Sequence, residues 1–383
     1  MKIALAILTM QRLGGKQRDC MSIAHHLMKR GCEVTLLSTR IGREMCHGIP
    51  SERVQVAALS NHGRMQALAA AVGRIKIERR LDAVIAFDPL PGCEFHYAAE
   101  EPLAKHSPRH KRWLARYRTL LKLEGGVFAP ESKTKVFYLT ENQRNQYWDI
   151  FGPAPDRAIV MPPHTDRVPS KHYVRRAQLR QELAVSDAVP LAISVAQNPV
   201  AWRKGLDRTL AAMAEIPDLH LLLVGCLDRK VMRQALAYGV SDRVRMLPYL
   251  EDVVEVMGAA DFLAHPARLE AGGLVIVEAL LAGIPAIATR ICGYAGEVER
   301  SGAGFVIEEP FEQQSFVAAI RKTIAKQNEL KTRARTYALA AQGRETWLAR
   351  LGRELEQFCR IEGTGPRDDA ATLLDPVPTL AAA

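Results

Sequence analysis

Two glutamates flank a pair of glycines in the run Glu270–Glu278, which reads EAGGLVIVE. The run follows a predicted strand and opens a predicted helix. Gly272 and Gly273 let a ligand approach the free N–H groups at the helix start, where the helix dipole favours an anion. A carboxylate beside a phosphate is unfavourable, so Glu270 and Glu278 are better suited to the hydroxyls of a sugar and a ribose. The alternative is an ordinary helix whose acidic residue compensates the dipole.

A second candidate, Trp202-Arg203-Lys204-Gly205, also lies between a predicted strand and a helix. Arg203 and Lys204 are suited to a diphosphate, arginine through its planar fork and lysine as a point charge. The chain contains no Asp-x-Asp triplet. A sugar-transferring enzyme without that metal-holding pair must balance the leaving-group charge with protein cations. A solvated basic loop is the alternative interpretation.

A third candidate is the turn Gly14-Gly15-Lys16-Gln17-Arg18-Asp19, between the first predicted strand and helix. Nucleotide-binding domains place their phosphate turn here. The turn matches neither the dinucleotide fingerprint nor the P-loop ending, so it is weak evidence alone.

A basic segment extends over residues 103–123 and contains no acidic residue. Trp113, Tyr117, Leu120 and Leu121 recur at helical spacing, which predicts one apolar stripe bordered by cations. This pattern is typical of a helix lying on an anionic membrane surface. A core-packed helix with a solvated basic face is the alternative, and no nucleic-acid-binding pattern is present. The predicted membrane-associating residues are Lys111, Arg112, Trp113, Arg116, Tyr117 and Arg118.

The elements that must position these residues alternate between short apolar runs and helical patterns. Continuous hydrophobicity and strand–helix alternation predict doubly wound parallel sheets. Pro162 and Pro163 mark a hinge between two halves. Because ligands bind beyond the carboxyl ends of parallel strands, the cleft between the halves should collect the candidates. The predicted strands are 2–9, 33–38, 54–58, 83–87, 136–139 and 158–161, then 191–197, 220–224, 244–247, 262–265, 285–288 and 305–307.

Composition narrows the class of protein further. The formal net charge is +10, which favours polyanionic partners such as acidic lipid, nucleic acid or phosphorylated substrates. The 7 cysteines are scattered without a Cys-x-x-Cys pair, which favours a reducing compartment over a disulfide framework or zinc site. No run approaches the roughly 18 apolar residues that a membrane-spanning helix needs. We therefore expect a cytoplasmic location.

Several motifs occur in the order seen in one enzyme group, and in them the chain resembles the lipopolysaccharide core heptose α-1,3-glucosyltransferases of family 4 of the retaining glycosyltransferases. The resemblance runs from residue 1 to about residue 350. The motifs are the turn at 14–19, Asn61-His62-Gly63-Arg64, Pro91-Gly92, Arg203-Lys204-Gly205, the run at 270–278, and Ile291-Cys292-Gly293-Tyr294-Ala295.

This resemblance implies a GT-B fold, in which two Rossmann-like α/β domains face each other across a cleft. Residues 1–163 would form the acceptor-side domain and residues 164–345 the domain that binds the nucleotide sugar. A helix at 346–362 would pack back on the N-terminal domain. Residues 363–383, which the resemblance does not cover, are rich in Gly, Pro, Asp and Ala, and this composition predicts a disordered tail.

The resemblance also implies a UDP-sugar donor, no metal or other cofactor, and retention of configuration. Partners would be a lipopolysaccharide core acceptor and the anionic inner face of the bacterial inner membrane, where the enzyme would be peripheral, with no nucleic acid. The implied catalytic residues are Glu270, Glu100 and Asp19. The implied acceptor-side residues are His62, Asp88 and Glu100. The implied donor-binding residues are Gly14, Gly15, Asp19, Arg203, Lys204, Glu270, Gly272, Gly273, Leu274 and Glu278.

Three positions depart from the family pattern. Glu100 stands where the family carries Asp, Asp88 replaces an Asn, and Gly272 stands where Ala is frequent. Because these changes lie on both the donor and the acceptor sides, a related hexosyl- or N-acetylhexosaminyltransferase with another acceptor stays open. Two further alternatives are a sugar-nucleotide epimerase or hydrolase, and a basic non-catalytic binding module.

Overall fold

Two parallel sheets form the framework of the chain. The computed structural model describes residues 1–11, 14–42, 45–46, 48–163, 176–197, 201–250, 252–342 and 344–361. The first sheet has the strand order β3-β2-β1-β4-β5-β6-β7 and the second has the order β10-β9-β8-β11-β12-β13. The predicted pair of Rossmann-like domains is confirmed.

The first sheet and its helices occupy the N-terminal half. Its strands are β1 (Lys2–Ile7), β2 (Glu33–Ser38), β3 (Ser51–Arg53), β4 (Ala83–Ala86), β5 (Phe95–Ala98), β6 (Lys135–Tyr138) and β7 (Ala158–Val160). Its helices are α1 (Gly15–Lys29), α2 (Asn61–Arg79), α3 (Leu103–His106), α4 (Ala115–Phe128) and α5 (Glu141–Phe151).

The second sheet and its helices follow. Its strands are β8 (Leu191–Val195), β9 (His220–Val224), β10 (Val244–Leu247), β11 (Phe262–His265), β12 (Ala286–Thr289) and β13 (Gly304–Ile307). The helices are α6 (Arg176–Glu182), α7 (Leu206–Glu215), α8 (Arg229–Ala237), α9 (Val254–Met257), α10 (Leu274–Leu281), α11 (Ala295–Ser301), α12 (Gln313–Ala325), α13 (Gln327–Ala341) and α14 (Trp347–Ile361).

Each sheet is buried on both faces because side chains alternate across a strand. In β1, Ile3 and Leu5 belong to one apolar cluster and Ala4 to another on the opposite face. In β8, Ile193 and Ala192 divide in the same way between two clusters. This double burial is why the strands read as continuous apolar runs.

The last helix returns to the first domain. Trp347, Leu351 and Leu355 of α14 are buried in the same cluster as β1 and α1. Arg30, the residue that follows α1, donates to Glu356 of α14 at 2.5 Å. The N-terminal core is therefore completed by residues from the end of the described chain.

Two predictions about the N-terminal half are wrong. Residues 54–58 form no strand, and the short edge strand β3 precedes them. Strand β5 was missed, because its sequence FHYA is short and carries a histidine. It lies between β4 and β6 and delivers residues 96–100 to the cleft.

The predicted apolar stripe of Trp113, Tyr117, Leu120 and Leu121 is not carried by one helix. Helix α3 ends at His106 and α4 begins at Ala115, with a short 3-10 turn at Arg109–Lys111 between them. Pro108 explains the break, because proline disfavours helical geometry in the preceding residue and cannot donate a backbone hydrogen bond. Trp113 therefore lies outside α4, with 73% of its surface exposed. Among the described residues, no helix is long and apolar enough to span a bilayer.

Candidate active site

A cavity of about 330 Å³ lies between the two domains. The N-terminal domain contributes the turn after β1, and the C-terminal domain contributes loops at the carboxyl ends of β8, β9, β10 and β11. Of the predicted donor-binding residues, Gly14 and Arg203 do not line this cavity. Those that do are Gly15, Asp19, Lys204, Glu270, Gly272, Gly273, Leu274 and Glu278.

Glu270 is held by two side chains from neighbouring loops. The Lys204 ammonium donates to its carboxylate, and Nε2 of His265 lies 3.2 Å from Oε2 of Glu270. Burial is the largest influence and raises the pKa of Glu270, but the hydrogen bond from His265 and the charge of Lys204 outweigh it. The pKa falls to about 2, so Glu270 is an anion that can only accept hydrogen bonds at neutral pH.

His265 was not predicted as a site residue, although it ends strand β11 at the edge where ligands bind. Burial lowers its pKa, against the raising effect of Glu270. A neutral imidazole therefore donates one N–H to the carboxylate. It orients Glu270 without adding a charge beside the cavity.

The start of α10 has a geometry that requires glycine. Gly273 caps this helix with φ of 86°, in the left-handed region that L residues avoid. Gly273, Leu274 and Val275 line the same cavity as Glu270, and the first N–H groups of a helix have no partner within that helix. Glu278 lies one turn further along α10, is 4% exposed and lines the cavity. The arrangement offers an anion site and, next to it, a carboxylate.

The loop that carries Lys204 is fixed by a close backbone approach. Gly205 has φ of 76°, and a Cβ at this position would lie 1.8 Å from the Pro266 carbonyl oxygen. The backbone N–H of Arg268 also donates to the Arg203 carbonyl at 2.7 Å. These contacts join the 203–205 loop to the loop after β11. They hold Lys204 against Glu270.

Acceptor-side residues meet on Lys16, which sequence reasoning did not single out. Its ammonium donates to Asp88 and to Glu100, both at 2.8 Å. The second carboxylate oxygen of Asp88 accepts from the Leu8 backbone N–H at 2.6 Å. Burial lowers the pKa of Lys16, but the charges of Asp88 and Glu100 outweigh it and raise that pKa above its ordinary value. The two residues that depart from the family pattern, Asp88 and Glu100, therefore both pair with the same cation, Lys16.

Gln143 holds the backbone next to Glu100. Its amide donates to the carbonyls of Ala98 and Glu100 at 2.7 and 2.8 Å and accepts from the Leu139 N–H at 2.8 Å. The Tyr147 hydroxyl donates to the Glu100 carbonyl at 3.2 Å. Glutamine in an otherwise polar helix gives no sequence signal, so this support was missed.

Of the predicted site residues Asp19 and His62, the first lines the donor cavity and the second does not. The Tyr97 hydroxyl donates to Asp19 at 3.0 Å, which orients that carboxylate at the edge of the donor cavity. His62 lies 3.3 Å from the Ser60 hydroxyl at the start of α2 and lines neither the donor cavity nor the neighbouring one at Asp88 and Glu100. No group of three or more His, Cys, Asp or Glu suited to a metal occurs among the described residues.

The predicted membrane-associating residues divide into two sets. Lys111, Trp113, Arg116 and Arg118 are exposed. Arg112 instead turns inward, where it donates to the Ala104 carbonyl at 2.5 Å and to the Ser107 hydroxyl at 3.1 Å. It therefore stabilises the turn around Pro108. Tyr117 is half-buried on α4.

Two Rossmann-like domains meet at a cavity that combines a helix start suited to an anion with carboxylates suited to sugar hydroxyls. This combination defines a GT-B glycosyltransferase. The model of the family described as glycosyl transferases group 1 matches residues 176–341. The chain is 32% identical over 324 residues to the lipopolysaccharide glucosyltransferase WaaG of Escherichia coli (strain K12), covering 81% of this chain and 86% of that one. The chain belongs to this glycosyltransferase family and is a homologue of WaaG.

Further comparisons agree with this assignment. A D-inositol 3-phosphate glycosyltransferase of Geodermatophilus obscurus is 27% identical over 304 residues, covering 65% of this chain and 67% of that one. A crystal structure of WaaG matches with a TM-score of 0.80 and 28% identity, over 94% of this chain and 99% of that chain. Anabaena Alr3699/HepE in complex with UDP-glucose shares the fold, with a TM-score of 0.73 and 20% identity over 95% of this chain and 100% of that one.

Proposed function

We propose that this glycosyltransferase moves a hexose, with glucose the first candidate, from a UDP-sugar to a heptose of the lipopolysaccharide inner core. The observation that carries the proposal is the joint lining of one cavity by Asp19, Lys204, Glu270 and Glu278 in a homologue of a lipopolysaccharide glucosyltransferase. Carboxylates suited to a ribose and a hexose lie on either side of a site suited to a diphosphate.

The donor would lie along the carboxyl edge of the second sheet. Glu278 would accept bonds from the ribose hydroxyls, and the N–H groups after Gly273, together with Lys204, would hold the diphosphate. Glu270, kept ionised, would accept bonds from hydroxyls of the hexose. Arg203 does not line this cavity, so its predicted contact with the diphosphate requires its side chain to reorient on a loop whose backbone is held by Arg268.

Transfer would proceed on one face of the sugar, with retention of configuration. The bond from the anomeric carbon to the diphosphate oxygen breaks, and the acceptor hydroxyl oxygen bonds to that carbon. The hydroxyl proton passes to the departing diphosphate. Asp19 and Glu100 would border the reacting centre, and Lys204 with the start of α10 would stabilise the leaving-group charge without a metal.

We also propose that the enzyme docks on the anionic inner face of the inner membrane. Lys111, Arg116 and Arg118 are exposed near Trp113 in sequence, and the Trp113 indole is exposed as well. This set combines charge attraction with an apolar group at the lipid interface. Arg112 is left out because it bonds inward. The docking surface is therefore a short exposed turn and the first turn of α4, rather than a continuous helix.

The test is donor turnover with UDP-glucose, UDP-galactose and the two UDP-N-acetylhexosamines. Each is assayed with and without a heptose-terminated lipid A core, in the presence of EDTA. We expect acceptor-dependent UDP release with one donor. Equal release without acceptor would favour a hydrolase, and formation of an epimer would favour an epimerase. No donor consumption together with salt-sensitive polynucleotide binding would favour the binding module.

A further inference from the structure

A second cavity of about 240 Å³ adjoins the donor cavity and shares Lys16 and Ala99 with it. It lies between the carboxyl ends of β4 and β5 and the helix α4. Its polar lining residues include Asp88, His96 and Glu100. A group bound here would meet the donor at the shared wall, beside the Lys16 ammonium.

His96 is the least expected of these lining residues. It occupies strand β5, whose neighbouring residues Phe95 and Tyr97 point into the apolar cluster on the other face of the sheet. His96 is 3% exposed and packs edge-on against Phe128, with ring centroids 5.2 Å apart. Its Nδ1 has no hydrogen-bond partner among the described residues.

A buried ring nitrogen without a partner is unfavourable for the folded chain. The other ring nitrogen bonds the Asp88 backbone, so Nδ1 is the atom that lacks a partner among the described residues. A phenylalanine ring beside Phe128 would avoid that unpaired nitrogen but would give up the bond to Asp88. Burial, the largest influence, lowers its pKa to about 4, so the ring is neutral and can both donate and accept a hydrogen bond.

We propose that His96 is a specificity-determining residue on the acceptor side of the site, where its imidazole hydrogen-bonds a hydroxyl of the acceptor sugar. The proposal rests on the proposed glycosyltransferase function and adds a residue to it. The imidazole, together with the carboxylates of Asp88 and Glu100, suits a polyhydroxylated ring. Lys16 then lies where the acceptor hydroxyl and the donor meet.

The test compares His96→Phe with His96→Asn, whose amide can replace Nδ1. At saturating donor and with a heptose-terminated core oligosaccharide as acceptor, H96F should raise the acceptor KM about tenfold. That rise corresponds to about 1.4 kcal/mol of lost binding. H96N should recover part of the loss. Affinity for UDP should be unchanged in both variants.

His220→Phe is the matched control. Its Nδ1 is also buried without a partner, and it begins β9 away from both cavities, so the acceptor KM should not change. An unchanged acceptor KM in H96F would reject the inference, as would a parallel loss of UDP affinity and Tm, which indicates a structural role. No transfer by the wild-type chain would instead reject the proposed function, and the inference with it.

Discussion

The ion pair between Lys16 and Asp88 yields a prediction about stability and activity together. The two side chains are 17% and 7% exposed, so Lys16→Met leaves a buried carboxylate without its cation. Loss of one partner of a buried pair costs about 3–5 kcal/mol, and the residual exposure of Lys16 reduces our expectation to about 2–4 kcal/mol. The double variant K16M/D88N removes both charges and should lie within about 1 kcal/mol of the wild type.

The measurement is urea unfolding of the wild type, K16M, D88N and K16M/D88N, monitored by circular dichroism. Lys2→Met is the control, since Lys2 pairs with Glu33 at 4.0 Å with side chains 53% and 71% exposed. That exposed pair should contribute less than about 1 kcal/mol. A K16M variant as stable as K2M, or a double variant no more stable than K16M, would refute the reasoning.

The double variant also separates stability from chemistry. It keeps the N-terminal domain folded but removes the cation that holds the Glu100 carboxylate at 2.8 Å. If that position matters for the attack on the donor, the transfer rate should fall at least about tenfold. Unchanged transfer in a folded K16M/D88N would show that Glu100 needs no fixed position.

Three further predictions concern the donor side and the surface. Glu270→Gln should lower kcat about 100-fold. The pKa of Glu270 lies near 2 rather than 4.5, so its ionised form adds stability above pH 4.5, and this stability is lost as the pH falls towards 2. The Tm difference between wild type and E270Q should therefore shrink as the pH is lowered over that range. A constant difference would contradict the low pKa. Gly205→Ala should destabilise the second domain in urea unfolding, because the added Cβ would lie 1.8 Å from the Pro266 carbonyl oxygen. Gly272→Ala should fold normally, because the atoms nearest to its added Cβ belong to Leu139 and Tyr294 and lie at 3.4 and 3.5 Å. The methyl of G272A narrows the donor cavity, so kcat/KM for UDP-N-acetylhexosamines should fall relative to UDP-glucose, and an unchanged ratio would remove position 272 from donor selection. Replacing Lys111 and Arg118 by Ser should weaken sedimentation with acidic vesicles while sparing transfer to a soluble acceptor, since neither lines the two cavities. Replacing the exposed Lys230 and Arg233 of α8 by Ser is the charge-matched control, and equal loss in both would show only a dependence on net charge.

The fold and the donor motif were predictable because their causes are local in sequence. Parallel strands buried on both faces leave apolar runs, and nearly all of those runs became strands. The run Glu270–Glu278 joins a strand end to a helix start, so its placement in the cleft follows from the general position of ligands in open sheets. Strand β5 was not predicted because it is only 4 residues long and contains a histidine, so it does not form a continuous apolar run.

The acceptor side was decided by tertiary structure. Lys16 pairs with Asp88 and Glu100, which lie 72 and 84 positions further along the chain, and no periodicity in the sequence indicates such a contact. Likewise, Arg112 and Trp113 are neighbours in a basic segment, yet one bonds inward and the other is exposed, because Pro108 breaks the helix between them and α3. The sequence alone thus determined the class of fold and the place of the run Glu270–Glu278 at the cavity and the start of α10. Only the packing of distant segments determined which charges are balanced, which ring nitrogen is buried without a partner, and which cations face solvent.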